Sequence, residues 1–274
     1  MSNLLKRLIT GVLLVILITF AISNGAHSFI ALILAINLLA LLEFYNLFSP
    51  GGMGYRKFYG IGLSFGLLLT TFLVLTGSRT QLLLLNIPLA YAAFIDELYR
   101  RDAEPFQQLA YNFLGVIWIT LPLCLLIAIA FIKNIPGEYH GKLILSYFCL
   151  LWVHDSFAYI SGKLLGKHSL FKSLSPGKTW EGSAGGALSC LILAFVISPY
   201  LPQLPLTCLL GIATLVILFG TYGDLVKSLL KRSFNIKDSG TLLPGHGGIL
   251  DRFDSLLGSA PFVYTYLILY TSYA

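Results

Sequence analysis

The chain has 274 residues, of which 57% are apolar and 11% charged, with a formal net charge of +6 and a mean hydropathy of +0.82. A soluble domain carries about 25% charged residues, so a water-soluble globule of this size is excluded, as are disordered and fibrous chains. A disulfide scaffold is excluded too: Cys124, Cys149, Cys190 and Cys208 lie in apolar stretches with no CxxC pair and no His at ligand spacing, the pattern of small buried hydrophobes.

A helix needs about 20 mostly apolar residues to cross a hydrocarbon core of about 30 Å. That ruler predicts an all-α polytopic membrane protein with nine spans near 8–22, 29–48, 58–76, 81–95, 109–132, 143–160, 184–201, 206–223 and 256–273, the fourth being short. Lys6, Arg7 and the following apolar run imitate a secretory signal ending near Ala21-Ile22-Ser23. Eight further spans favour an uncleaved first helix. With the N-terminus inside, the inner segments hold 15 of the 18 lysines and arginines, leaving Arg79, Lys133 and Lys142 outside. Cytoplasmic loops concentrate Lys and Arg, so the expected topology is N-terminus cytoplasmic and C-terminus outside.

Residues 1–150 are expected to be lipid-facing scaffold helices, with Glu43 read as a solvated helix end before a site contact. Asp96, Glu97, Asp102 and Glu104 read as a solvated surface run between spans four and five. Residues 151–274 are expected to be catalytic, because the polar residues concentrate at 154–183 and 223–254. The second of these stretches holds four acids, five bases and Pro244-Gly245-His246-Gly247-Gly248 within 32 residues. Ionisable groups near membrane depth are costly and mark function by default.

Asp251 and Asp254 stand three apart, on one helix face with room for a divalent cation, and Asp224 ends the preceding span. Acids mixed with bases suit a site where carboxylates hold metal and cations hold phosphate. Magnesium usually takes one or two carboxylates and leaves its other positions to water and phosphates. Gly245, Gly247 and Gly248 let backbone N–H groups approach an anion. The pattern suits metal-assisted phosphoryl or nucleotidyl transfer. The plainer alternatives are a positive-inside anchor for the basic cluster, a simple turn for the glycine run, and a loop hydrogen bond for His246. Ser175 and Pro176 also fit a helix start, as N-cap and first helical residue. The sequence holds no P-loop, no GxGxxG after a strand and no HExxH.

The stretch Ser228-x-Leu230-Lys231-Arg232-x4-Lys237-Asp238-x-Gly240-x2-Leu243-Pro244-x-His246-Gly247-Gly248-Ile249-x-Asp251-Arg252-Phe253-Asp254 resembles the hallmark motif of phosphatidate cytidylyltransferases, the CDP-diacylglycerol synthases. Asp155-x-x-Ala158-Tyr159-x-x-Gly162-Lys163-x-x-Gly166-Lys167-His168 and Ser175-Pro176-Gly177-Lys178-Thr179-Trp180-Glu181-Gly182-x-x-Gly185-Gly186 resemble the family's other cytoplasmic segment. The departures are Lys227, where the family often has an acid, and His154 and Phe157, where small residues are usual.

The resemblance implies transfer of CMP from CTP to phosphatidate, giving CDP-diacylglycerol and pyrophosphate in phospholipid biosynthesis. It implies Mg²⁺, with room for a second cation, and catalytic roles for Asp224, Lys231, Arg232, Lys237, Asp251 and Arg252. Metal ligands would come from Asp224, Asp251, Asp254 and Asp155. Substrate would be bound by Ser175, Lys178, Thr179, Ser228, His246, Gly247 and Gly248. Lys163, Lys167 and Lys172 read as headgroup contacts or topology signals. The lack of a long cytosolic N-terminal extension favours a bacterial plasma membrane, the expected topology turns the site toward the cytoplasm, family grounds imply a homodimer, and no nucleic-acid partner is expected. Two rivals remain: a cytidylyltransferase for another lipid phosphate, and an ion-coupled transporter. The acids lie at inner helix ends rather than at the midplane, and no inverted repeat of broken helices is seen, which counts against the transporter.

Overall fold

The computed structural model describes residues 3–48, 57–100, 104–133, 135, 138–236, 239–240 and 247–273, with the side chains of 3–8 and 273 outside that description. Each expected span coincides with one helical segment. These are α1 (Asn3–Ser23), α2 (Ala26–Leu47), α3 (Lys57–Leu75), α4 (Thr80–Leu98), α5 (Pro105–Ala130), α6 (Gly141–Leu165), α7 (Trp180–Tyr200), α8 (Leu206–Ser233) and α9 (Leu250–Tyr273). Seven of them, α2 to α8, are long and apolar enough to cross a membrane. In α1 the described apolar stretch, Ile9–Ser23, is shorter. Helix α9 carries Asp251, Arg252, Asp254 and an internal Pro261, which lower its apolar content. The chain is a helical polytopic membrane protein.

One element was absent from the sequence reading. Strands β1 (Ser169–Phe171) and β2 (Ser175–Thr179) form a small antiparallel hairpin, pairing Ser169 with Thr179 and Phe171 with Ser175. The helix start expected at Ser175 and Pro176 therefore lies further on. Thr179 is the N-cap of α7, its Oγ1 accepting the Gly182 N–H at 3.1 Å. A threonine in extended backbone is a good cap, and strand pairing already engages Ser175.

The chain divides into two compact units, residues 1–131 with 238–252, and residues 132–237 with 253–274. In the first, Phe29, Ile33, Leu41, Phe44 and Tyr45 of α2 are fully buried, as are Leu68, Ile119 and Leu123. Two sets of polar groups in this apolar interior bond across helices. Thr120 Oγ1 lies 2.8 Å from both Asn37 Oδ1 and Ser64 Oγ, tying α5 to α2 and α3, and the Tyr45 hydroxyl donates to the Asn112 carbonyl at 3.0 Å. Where lipid cannot satisfy polar groups, such bonds fix helix pairing.

In the second unit, α6 and α7 approach to backbone contact along Gly182 and Gly186, the small-residue packing common between membrane helices. Their outer faces expose Tyr159, Leu164, Leu188 and Phe195, which suits lipid contact. The Tyr147 hydroxyl of α6 and Ser259 Oγ of α9 are 2.6 Å apart. The decisive approach is between α8 and α9. A Cβ at Gly223 would lie 2.5 Å from the Asp254 carbonyl and 2.9 Å from Gly258 Cα. Only glycine lets these backbones meet, and this meeting sets the residue after Gly223 beside Asp254. Gly223→Ala is expected to destabilise the protein by about 1–3 kcal/mol through overpacking. A lower thermal midpoint in detergent checks it, and an unchanged midpoint would contradict the close approach.

Candidate active site

In the second unit the ends of α8 and α9 and strand β2 assemble an ionic cluster. Lys178 Nζ of β2 is 2.6 Å from Asp224 Oδ2. Lys227, one turn after Asp224 on α8, places its Nζ 3.5 Å from Asp224 Oδ1 and bonds Asp254 Oδ2 of α9. Lys227 is 4% exposed. Lysine is almost never buried unless paired, and here two carboxylates from two helices surround it. Two acids and two ammonium groups leave this core formally neutral.

Asp155 extends the cluster from α6. Its carboxylate accepts the Ser255 hydroxyl, with Oδ2 at 3.2 Å and Oδ1 at 3.5 Å, and lies 3.2 Å from His154 Nδ1. His154 is buried, and its Nε2 has no partner among the described residues. Ser228 is buried on α8 next to Lys227. Arg232 is exposed, and its Nε donates to the Leu174 carbonyl at 3.4 Å, tying the end of α8 to the hairpin loop. Lys231 is half-buried one residue before it. Ser175 and Thr179 flank Lys178 on β2. Lys163, Lys167 and Lys172 are exposed. Glu181, in the first turn of α7, accepts the Lys167 and His168 N–H groups at 3.1 and 3.2 Å and holds His168 Nδ1 at 2.6 Å. It organises the approach to the hairpin.

In the first unit the motif segment is braced by two carboxylates. Asp251 Oδ2 accepts Ser239 N–H and Ser239 Oγ, each at 3.0 Å, and Gly248 N–H at 3.2 Å. Glu43 accepts Ile249 N–H at 2.8 Å and Leu250 N–H at 3.0 Å. Glu43 is 7% exposed, so the solvated helix end expected from sequence is corrected: its carboxylate satisfies the unpaired N–H groups at the start of α9, where negative charge is favoured. Gly248, expected to offer its N–H to an external anion, gives it to Asp251. Gly247 is half-buried beside it and Arg252 is exposed. Lys237 and His246 lie outside the described residues.

Two other surface readings change. Glu97 is buried rather than solvated, and Asp96 pairs with Arg100 at 2.5 Å. The four cysteines are free, three of them buried, as expected of small apolar residues.

Among the described residues, no three His, Cys, Asp or Glu side chains converge as a metal-binding group. Asp224 and Asp254 nonetheless suit a hard divalent cation, because their oxygens already face a positive charge, that of Lys227. Magnesium commonly rests on one or two carboxylates and completes its shell with water and substrate phosphate. Paired acids and cations at a membrane helix end can neutralise phosphate charge, and no nucleophile–base pair of the Ser–His or Cys–His kind accompanies them among the described residues. Sequence reasoning treated Lys227 as a departure and passed over Ser255. Neither shows until α8 and α9 are packed.

The chain is 36% identical over 280 residues to the phosphatidate cytidylyltransferase of Bacillus subtilis (strain 168), covering 99% of this chain and 100% of that protein. It is 30% identical over 266 residues to the protein of the same name from Staphylococcus aureus (strain COL), covering 96% and 98%. It is 42% identical over 130 residues to that of Haemophilus influenzae (strain ATCC 51907 / DSM 11121 / KW20 / Rd), covering 45% of each chain. The cytidylyltransferase family model matches residues 5–270, nearly the whole chain from α1 to α9, and the chain belongs to that family.

Proposed function

We propose that this protein is a CTP:phosphatidate cytidylyltransferase that makes CDP-diacylglycerol for phospholipid biosynthesis. The observation that carries the reading is the Lys178–Asp224–Lys227–Asp254 cluster, in a chain alike over its full length to proteins named for this activity.

A phosphate-monoester oxygen of phosphatidate forms a bond to the α-phosphorus of CTP. The bond from that phosphorus to the bridging oxygen breaks, and its electron pair leaves with pyrophosphate. The nucleophile needs no strong base, since a phosphomonoester's second pKa is about 6. Catalysis then rests on positioning and charge neutralisation.

In this reading Asp224 and Asp254 are the principal Mg²⁺ ligands, with Asp155 and Asp251 as further ones. The ion would neutralise charge on the phosphates. Lys178, with Lys231, Arg232, Lys237 and Arg252, binds the triphosphate and lipid headgroup. Thr179 uses its oxygen to cap α7, and its O–H is left to donate to a phosphate oxygen, beside Ser175. Ser228, His246, Gly247 and Gly248 complete the substrate contacts. Residues 151–274 carry the chemistry and 1–150 form the lipid-facing scaffold.

The 15-to-3 split of basic residues supports a cytoplasm-facing site, and the bacterial relatives support a plasma membrane. The family resemblance supports a homodimer.

Purified protein in detergent is expected to release pyrophosphate only with CTP, phosphatidate and Mg²⁺ together, and to stop with EDTA. Release without phosphatidate, or with another lipid phosphate in preference, would overturn the substrate assignment.

A further inference from the structure

We propose that the Lys227 ammonium is a resident cation of the site. It takes the place beside the Asp224 and Asp254 carboxylates that a second metal ion would otherwise take, so this chain holds one divalent cation fewer than it would with a neutral or acidic residue at 227. The inference rests on the cytidylyltransferase reading above and deepens it.

Three observations carry it. Lys227 is 4% exposed, and the Asp254 side chain it bonds is 10% exposed. An ammonium there is shielded from water and is held by protein charge. It reaches carboxylates on two different helices, Asp224 one turn before it on α8 and Asp254 on α9, and bridging acids of separate helices is what a bound ion does. The glycine contact between α8 and α9 leaves Asp254 little room to withdraw. Removing the ammonium would leave two carboxylates to one ammonium, that of Lys178, which pairs with Asp224 and not with Asp254 in the cluster described above. Like charges so placed are strongly unfavourable, and a small cation relieves them. A lysine is also a compact point charge with three donors, closer to a metal ion in shape than an arginine fork. Its charge does not dissociate when divalent ions are scarce.

The test uses detergent-purified full-length wild type, Lys227→Gln, Lys227→Glu and Lys227→Arg, without CTP or lipid. Mn²⁺ binding is followed by electron paramagnetic resonance, and thermal midpoints are read in EDTA and in Mg²⁺. Lys227→Gln and Lys227→Glu are expected to melt below wild type in EDTA, to recover more than wild type on adding Mg²⁺, and to bind one further Mn²⁺ per chain. Lys227→Arg keeps the charge and is expected to keep the wild-type Mn²⁺ count. Equal Mn²⁺ counts and equal Mg²⁺-induced shifts in all four proteins would overturn the proposal. So would an extra ion in Lys227→Arg, which would trace the effect to shape rather than charge. Because no readout involves turnover, a protein that passes this test yet releases no pyrophosphate would refute the proposed reaction and not the resident cation.

Discussion

Asp224→Asn is expected to lower pyrophosphate release by about 10³-fold or more, with the protein still inserted and monodisperse. Removing a single preorganised polar contact to developing charge costs about 10²–10³-fold, and Asp224 serves more than one partner. Its two oxygens face Lys178 and Lys227 separately, so the one carboxylate orients two cations and, in the proposed mechanism, holds metal as well. Asparagine keeps the shape and loses the charge. Both lysines would then lack a counter-ion at this point, and Lys227, buried, would keep its bond to Asp254. Asp224→Glu separates the roles. It keeps the charge but lengthens the arm, so it is expected to recover part of the activity if charge is what matters. Wild-type turnover in Asp224→Asn, measured with CTP, phosphatidate and Mg²⁺ at saturation, would remove Asp224 from the chemistry and leave it as an anchor for the hairpin.

The second large effect is expected at Asp251. Asp251→Asn should abolish turnover while leaving a folded, membrane-inserted protein. Its Oδ2 gathers two bonds from Ser239 and one from Gly248, so loss of activity could arise from a loosened loop as well as from a lost ligand. Asparagine still offers a carbonyl oxygen to those donors, which keeps much of the brace. Ser239→Ala removes one donor and leaves the carboxylate intact, at a cost to stability of about 1 kcal/mol. The expected pair of results is an inactive Asp251→Asn and a Ser239→Ala within about tenfold of wild type, since 1.4 kcal/mol corresponds to a factor of ten. Equal losses in both would assign Asp251 to the loop and away from the metal.

Each apolar run long enough to span is helical in the structure, because hydropathy and helix length are local properties and lipid admits few other conformations. The family was legible for a similar reason. Its polar residues sit at set spacings in 154–183 and 223–254, and a spacing is written in one dimension. The β1–β2 hairpin was not legible. Ser169–Phe171 and Ser175–Thr179 are too short and mixed to show a period of two, and Pro176 favours a turn or helix start when read alone.

Glu43 lies more than 200 residues from the N–H groups it accepts, a distance at which no motif couples them, so a buried cap read as a solvated helix end. Lys227 is the clearest case. In sequence it is one more positive charge in a basic stretch, which charge counting assigns to topology. Its burial between Asp224 and Asp254 follows from the approach of Gly223 to Gly258. The sequence by itself determined the membrane class, the helical segments and the family, all properties of neighbouring residues. Which acid meets which base was decided by the tertiary structure alone, because a charge pair depends on how closely two helix backbones can pack.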